Sequence, residues 1–201
     1  MLLRLEEEKD YQTVENLTRE AFWNVYRPGC VEHLVLHKLR QDSCFVPELD
    51  YVLEEDGQVI AHIAYAQGTL TKADGEQTAL LLFGPVSVLP SYQKKGYGDR
   101  LIRFTLEKAA AMGYPAVVIT GSPDYYSKFG FEQAALYGIV HAGLAAEEEA
   151  PFFMVKVLDT QAMKDLAGVY QDPACYSVTD EEAEAFDSAF PPKVKESRPG
   201  Q

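Results

Sequence analysis

Residues 77–120 hold the feature that most constrains the fold of this chain. An apolar run at 77–88 is followed by a glycine-rich turn, a helix-like run and a second apolar run at 116–120. In the helix-like run, apolar or small residues recur at steps of four, three and four from Ile102 to Gly113, as they do along one face of a helix. A strand, a helix and a second strand in this order predict a parallel strand pair with a right-handed crossover. The chain is therefore expected to fold around an α/β unit.

The turn from Gln93 to Gly98 combines two lysines with two glycines. Backbone N–H groups at the start of a helix have no intrahelical acceptor and bind anions well. The turn therefore indicates a ligand with a diphosphate group. Its spacing excludes a P-loop, which needs Gly-Lys followed by Ser or Thr. A dinucleotide fingerprint is also excluded, because it needs a third glycine where Leu101 stands.

Further strands and helices are predicted on both sides of this unit. Periodicity and turn residues predict a strand at 2–5, helices at 8–23 and 31–40, a hairpin turning at Asp56-Gly57, a short helix at 124–128 and a last strand at 152–158. Beyond residue 159, a capping box at Thr179 opens a short helix, and residues 193–201 are expected to fray. We expect a main domain at 1–158 and a C-terminal extension at 159–201.

Charge and cysteine content narrow the class of function. The net charge of −13 argues against a nucleic-acid partner and is compatible with an amine-bearing substrate. Three widely spaced cysteines, Cys30, Cys44 and Cys175, indicate neither a disulfide framework nor a zinc ribbon. The acidic N-terminal segment does not resemble a signal peptide, and no apolar run approaches the ~20 residues that span a bilayer. A cytoplasmic protein without a membrane partner is expected.

Two segments resemble signatures of one enzyme superfamily. Residues 86–101 look like motif A of the GNAT superfamily of N-acetyltransferases, and Tyr125–Phe131 resembles its Tyr-x-x-x-Gly-Phe signature. The two occur in the family's order, with a helix and a strand between them. The resemblance implies the GNAT acyl-CoA N-acyltransferase fold, a mixed, mostly antiparallel twisted sheet flanked by helices. It covers residues 2 to about 158, roughly three quarters of the chain.

The resemblance also implies a chemistry and a set of site residues. The co-substrate is acetyl-CoA, the acceptor is a primary amine, the amine attacks the thioester directly, and no metal is needed. A small molecule is the expected acceptor, because nothing in the sequence marks a peptide groove. Backbone groups of Val86 and Val88, with Ser87 between them, are expected to pair with the pantetheine arm. The diphosphate is expected at the main chain of the turn formed by Gln93, Lys94, Lys95, Gly96, Tyr97 and Gly98. Tyr126 is expected to be the general acid, and a homodimer is compatible with the resemblance.

The general base is not identified by the resemblance. Some family members carry a glutamate on the motif A strand, where this chain has the apolar residues 80–83. His62 and Glu54 are candidates, as is a water relay. His33 and His37 share a helix face, but the simpler interpretation is structural, because no third metal ligand is in view.

Other functions stay open at this point. The acceptor can also be a protein lysine or an N-terminal amine, and the fold can serve as a non-catalytic acyl-CoA sensor or interaction module. The segment from Gln93 to Lys108 carries five basic and two acidic residues, a local charge of +3. Such a basic island suits a polyphosphate ligand, although it can also be a solvated helix face or recruit an acidic protein.

Overall fold

The structure is a computed structural model that describes residues 1–144 and 149–197. Its α-helices are α1 Tyr11–Phe22, α2 Glu32–Leu39, α3 Tyr97–Ala111, α4 Pro123–Tyr126 and α5 Asp180–Asp187. Its strands are β1 Leu2–Leu5, β2 Tyr51–Glu55, β3 Gln58–Thr71, β4 Gln77–Val88, β5 Ala116–Thr120, β6 Glu132–Gln133, β7 Ile139–His141, β8 Phe153–Val157 and β9 Gly168–Gln171. The predicted class, a mostly antiparallel sheet flanked by helices, is confirmed.

The chain divides into two compact units, and β3, β4 and α3 each run through both of them. The first unit comprises Met1–Ala64, Gly84–Leu101 and the chain from Ala174 onwards. In it, β1 pairs antiparallel with β2, and β2 pairs antiparallel with the first half of β3. The helices α1 and α2 pack against each other through buried apolar side chains such as Leu17 and Leu36. This unit contains the glycine-rich turn.

The second unit comprises Tyr65–Phe83 and Ile102–Pro173. Here β5 pairs in parallel with β4, with Leu81 opposite Val117, which confirms the predicted parallel pair. On its other side β5 pairs antiparallel with β8, and β8 pairs antiparallel with β6. The side chains of β5 are buried from residue 116 to 119, as expected for a strand covered on both faces.

One strand assignment is wrong. The prediction ended the sheet at residues 152–158, but β9 follows, pairing antiparallel with β3 and parallel with β7. Both β7 and β9 have four residues or fewer, so neither shows an alternation long enough to be recognised in the sequence. The C-terminal extension thus contributes a strand to the second unit.

The end of the described chain is held in place and not frayed. Thr179 caps α5 through the predicted capping box. In the first unit, the carbonyl of Val194 accepts hydrogen bonds from the Trp23 indole at 2.9 Å and from Asn24 at 3.1 Å, and Lys193 bonds to Glu20 at 2.8 Å. These bonds correct the prediction that the chain frays from residue 193 onwards, for residues 193–196. The sequence could not predict them, because hydrogen bonds to main-chain acceptors have no sequence signature. Residues 198–201 lie outside the described part.

Candidate functional site

The glycine-rich turn presents its main chain to solvent at the start of α3. Lys94 and Gly96 both have positive φ, at 61° and 86°, with one residue between them. Alternation of this kind makes backbone N–H groups converge on an anion. The helix begins at Tyr97, so its first N–H groups have no intrahelical acceptor and add to the positive helix end. The turn therefore has the backbone geometry of an anion site.

Side chains of the turn brace it against neighbouring strands in the first unit. The Gln93 amide donates to the carbonyl of Val88 at 3.1 Å, which ties the turn to the end of β4. The Tyr97 hydroxyl lies 3.3 Å from each carboxylate oxygen of Glu55 on β2. The turn is thus held by its first and fifth residues, and the main chain between them stays open.

The two lysines of the turn are available to an anion. Both are exposed, and within residues 1–144 and 149–197 neither forms an ion pair. Lys95 lies over the ring of Tyr92, with its Nζ 5.1 Å from the ring centroid. A diphosphate would therefore meet free ammonium groups beside the open N–H groups.

The end of β4 is fixed by one buried hydroxyl pair. The side chain of Ser87 is buried and donates to Thr18 Oγ1 of α1 at 3.0 Å, whereas Val86 and Val88 are half-buried. Ser87 can therefore offer a ligand only its main chain. Val86–Val88 and the turn lie in the same compact unit, and their shared role in binding the donor stays a prediction.

Tyr126 lies at the end of α4 in the second unit, half-buried in an aromatic cluster. The centroid of its ring is 4.9 Å from that of Tyr125, 5.9 Å from that of Phe131 and 6.0 Å from that of Phe83. A Cβ on Gly121 would come within 2.7 Å of Tyr126 Cδ2 and closer still to Cε2. Gly121 therefore makes the space that this ring occupies, a role that the sequence does not signal.

Another tyrosine, which is fully buried, lies near Tyr126. The hydroxyl of Tyr65, a fully buried residue of β3, is hydrogen-bonded to Thr105 Oγ1 at 2.8 Å. Burial raises the pKa of Tyr65, and the charge of Tyr126 raises it further. Tyr65 thus stays protonated at neutral pH.

Neither candidate base is free. His62 is fully buried, and its Nε2 lies 2.6 Å from Asp50 Oδ1 and 3.8 Å from Glu6 Oε2. Burial lowers the pKa of His62 to about 4 and raises that of Asp50 to about 6. Glu54 is 3.1 Å from Arg4 in an ion pair. The His62 ring is thus sealed from solvent, and Glu54 is held in an ion pair.

The side chains of His33 and His37 contact different acidic residues. His33 is fully buried 3.2 Å from Asp187, and His37 Nδ1 lies 2.9 Å from Glu15. Within the described residues, the groups that could hold a metal are Asp42 with Cys44 and Cys175, and Glu6 with Asp50 and His62. Neither group contains His33 or His37.

Two basic residues of the second unit, Arg103 and Lys128, lie over aromatic rings. The guanidinium of Arg103 lies 5.0 Å from the ring centroid of Phe129, and Lys128 Nζ lies 4.0 Å from that of Tyr125. Arg103 also donates to the carbonyl of Lys128 at 3.3 Å. These contacts support the surface beside α4. None of the described helices is long and apolar enough to cross a membrane.

Comparison with known proteins identifies related chains. The family model described as "Acetyltransferase (GNAT) domain" matches residues 3–134. Over 135 residues the chain is 31% identical to the Uncharacterized N-acetyltransferase YhbS of Escherichia coli (strain K12), covering 67% of this chain and 75% of that protein.

Two solved structures share the fold. One is a GNAT family N-acetyltransferase, YhbS from Escherichia coli in complex with CoA, with a TM-score of 0.75 and 27% identity, covering 87% of this chain and 91% of that one. The other is a GNAT family acetyltransferase from Brucella melitensis in complex with acetyl-CoA, with a TM-score of 0.69 and 27% identity, covering 88% and 97%.

Proposed function

Because the chain belongs to the GNAT acetyltransferase family, we propose that it transfers an acetyl group from acetyl-CoA to a primary amine of a small molecule. The observation that carries the proposal is the turn before α3, where positive φ at Lys94 and Gly96 opens the main chain beside two lysines that form no ion pair with any residue the structure describes. A diphosphate is the anion that two such lysines and a helix N-terminus suit best.

The donor is bound mainly by backbone groups in this proposal. N–H groups of residues 94–98 hold the diphosphate, since that of Gln93 donates to the carbonyl of Pro90, and Val86 and Val88 pair their main chain with the pantetheine arm. The buried Ser87–Thr18 contact supports this role because it fixes the strand while leaving backbone groups available. Acetyl-CoA supplies an activated thioester when bound.

Tyr126 is proposed to donate the proton that the departing thiolate needs. An ordinary tyrosine hydroxyl has a pKa of about 10, so it is protonated at neutral pH and can act as an acid. The aromatic cluster and Gly121 support this role, since they fix the position of the Tyr126 ring.

Deprotonation of the acceptor ammonium is assigned to a water relay. His62 is sealed in the core and Glu54 is paired with Arg4, so neither reaches a substrate proton directly. The relay is proposed to pass the ammonium proton through a chain of waters to bulk solvent, which is the final acceptor. A small molecule as the acceptor and a homodimer as the assembly are further proposals. Sedimentation at several protein concentrations tests whether the chain forms a dimer.

A panel of amines tests the function. Polyamines, aminoglycosides, amino acids and peptides with a free lysine or N-terminus are assayed side by side for CoA release, and acetyl-CoA binding is measured separately. We expect turnover with at least one small amine. Turnover confined to peptides would favour protein acetylation, and acetyl-CoA binding with no turnover on any acceptor would favour the sensor.

A further inference from the structure

We propose that Tyr176 is a positioning residue for acetyl transfer, because its hydroxyl holds the backbone of β4 at Gly84, just before the Val86–Val88 segment. This inference rests on the proposed function. The Tyr176 hydroxyl donates to the carbonyl of Gly84 at 2.7 Å. Its Cε1 lies 4.0 Å from the place where a Cβ on residue 84 would stand. The ring therefore covers this point of the strand, and the hydroxyl fixes it.

The backbone at this point needs such a support. Pro85 follows Gly84 and has no N–H, so the strand cannot form a regular hydrogen-bond ladder there. A carbonyl left without a partner in a half-buried position is costly. The phenol of Tyr176 satisfies the carbonyl of Gly84.

Other bonds fix the far end of the segment. Ser87 bonds to Thr18 at 3.0 Å, the N–H of Leu89 donates to the carbonyl of Ile60 at 2.9 Å, and Gln93 bonds to the carbonyl of Val88 at 3.1 Å. Tyr176 supplies an anchor at the near end, so the main chain of Val86 is held from both sides.

Tyr176 is itself well placed to act as an anchor. It ends a helical turn, Ala174–Tyr176, closed by the N–H of Ser177 on the carbonyl of Ala174 at 3.0 Å. The preceding Cys175 is buried, with its Sγ 3.7 Å from that of Cys44. This turn lies outside residues 3–134, which the family model matches. The C-terminal extension thus supports the donor segment.

Tyr176→Phe tests the inference, because it removes the hydroxyl and keeps the ring. Loss of one such hydrogen bond is expected to raise the Kd and KM for acetyl-CoA about fivefold, with kcat within about twofold of wild type. The pH profile of kcat is expected to stay unchanged. Tyr137→Phe is the matched control, since the Tyr137 hydroxyl bonds to Glu132 at the surface, and it should leave all these values unchanged.

Amide hydrogen exchange gives a readout that does not need CoA. In Tyr176→Phe, we expect faster exchange at residues 86–88 with unchanged exchange in α1. Wild-type affinity and wild-type exchange in this variant would overturn the inference alone. A loss of kcat with a changed alkaline limb would overturn it too, because Tyr176 would then act in the chemistry. A wild-type protein that binds no acetyl-CoA would overturn the proposed function and this inference together.

Discussion

At the scale of single residues, Gly121 decides where the phenol of Tyr126 can lie. The sequence predicts Tyr126 as the general acid from its position in the signature, but marks Gly121 only as the end of a strand. The structure places the two in contact, such that any Cβ at residue 121 would overlap the ring. A close approach of this kind depends on how two turns fold back on each other, so no local sequence pattern predicts it.

Gly121→Ala is therefore expected to displace Tyr126. A displacement of about 1 Å at a reacting group can cost on the order of 100-fold in rate, so kcat should fall by about that factor while the Kd for acetyl-CoA stays near the wild-type value. Steady-state kinetics and calorimetry measure the two. Ser122→Ala, at an exposed neighbouring position, is the control. A wild-type kcat in Gly121→Ala would show that the close contact between Gly121 and Tyr126 is not needed for catalysis.

The base candidates show where sequence reasoning fails for a residue. His62 lies in β3, where residues 59–66 are all buried. A strand buried on both faces has no alternation, so its sequence does not reveal whether a histidine faces a substrate or the core. Burial, which lowers the pKa of His62 to about 4, follows only from the packing.

At the scale of elements, the strand–turn–helix unit was the most predictable part of the fold. The bounds predicted for the two strands, 77–88 and 116–120, agree with β4 and β5. The glycine pattern located the turn, but the positive φ of Lys94 was not predictable, because lysine has no preference for that conformation. The pairing of β3 with β9, in which Leu70 lies opposite Tyr170, could not be predicted either, because it joins residues far apart in sequence.

The turn can be tested with two matched glycines. Gly96 has a φ of 86° and Gly75, in another turn, a φ of 88°, and a Cβ at either would meet no atom within 4 Å. Alanine at each should cost about 1 kcal/mol of unfolding free energy, because L-residues disfavour positive φ. Only Gly96→Ala should also weaken acetyl-CoA binding, by about tenfold, since its N–H groups would be redirected. Equal affinities for the two variants, measured by calorimetry, would contradict this role of the turn.

At the scale of the whole molecule, buried histidines make stability depend on pH. Burial lowers the pKa of His33 to about 4, although Asp187 opposes the shift. The unfolded chain takes up a proton at this histidine as the pH falls through about 6.5, and the folded chain does so only near 4. His33 therefore contributes stability above pH 6.5 that is lost as the pH falls from 6.5 to 4.

His33→Gln isolates this contribution from those of Glu6 and Asp50, whose raised pKa values act in the opposite direction. Between pH 7 and pH 5, wild type should lose about 2 kcal/mol more unfolding free energy than the variant does. Urea unfolding at the two pH values measures the difference. If the unfolding free energies of wild type and His33→Gln changed equally with pH, His33 would have the same pKa in the folded and the unfolded chain, which would contradict this prediction.

The central claim is that this chain moves an acetyl group with Tyr126 as the proton donor. The most direct measurement compares wild type with Tyr126→Phe, using the best amine of the panel and following CoA release together with acetylated product. The account predicts equal amounts of both products in wild type and a kcat lowered by about 100-fold or more in Tyr126→Phe, with acetyl-CoA affinity retained. Acetyl-CoA binding with no acetylated product in wild type, or an unchanged kcat in Tyr126→Phe, would contradict it.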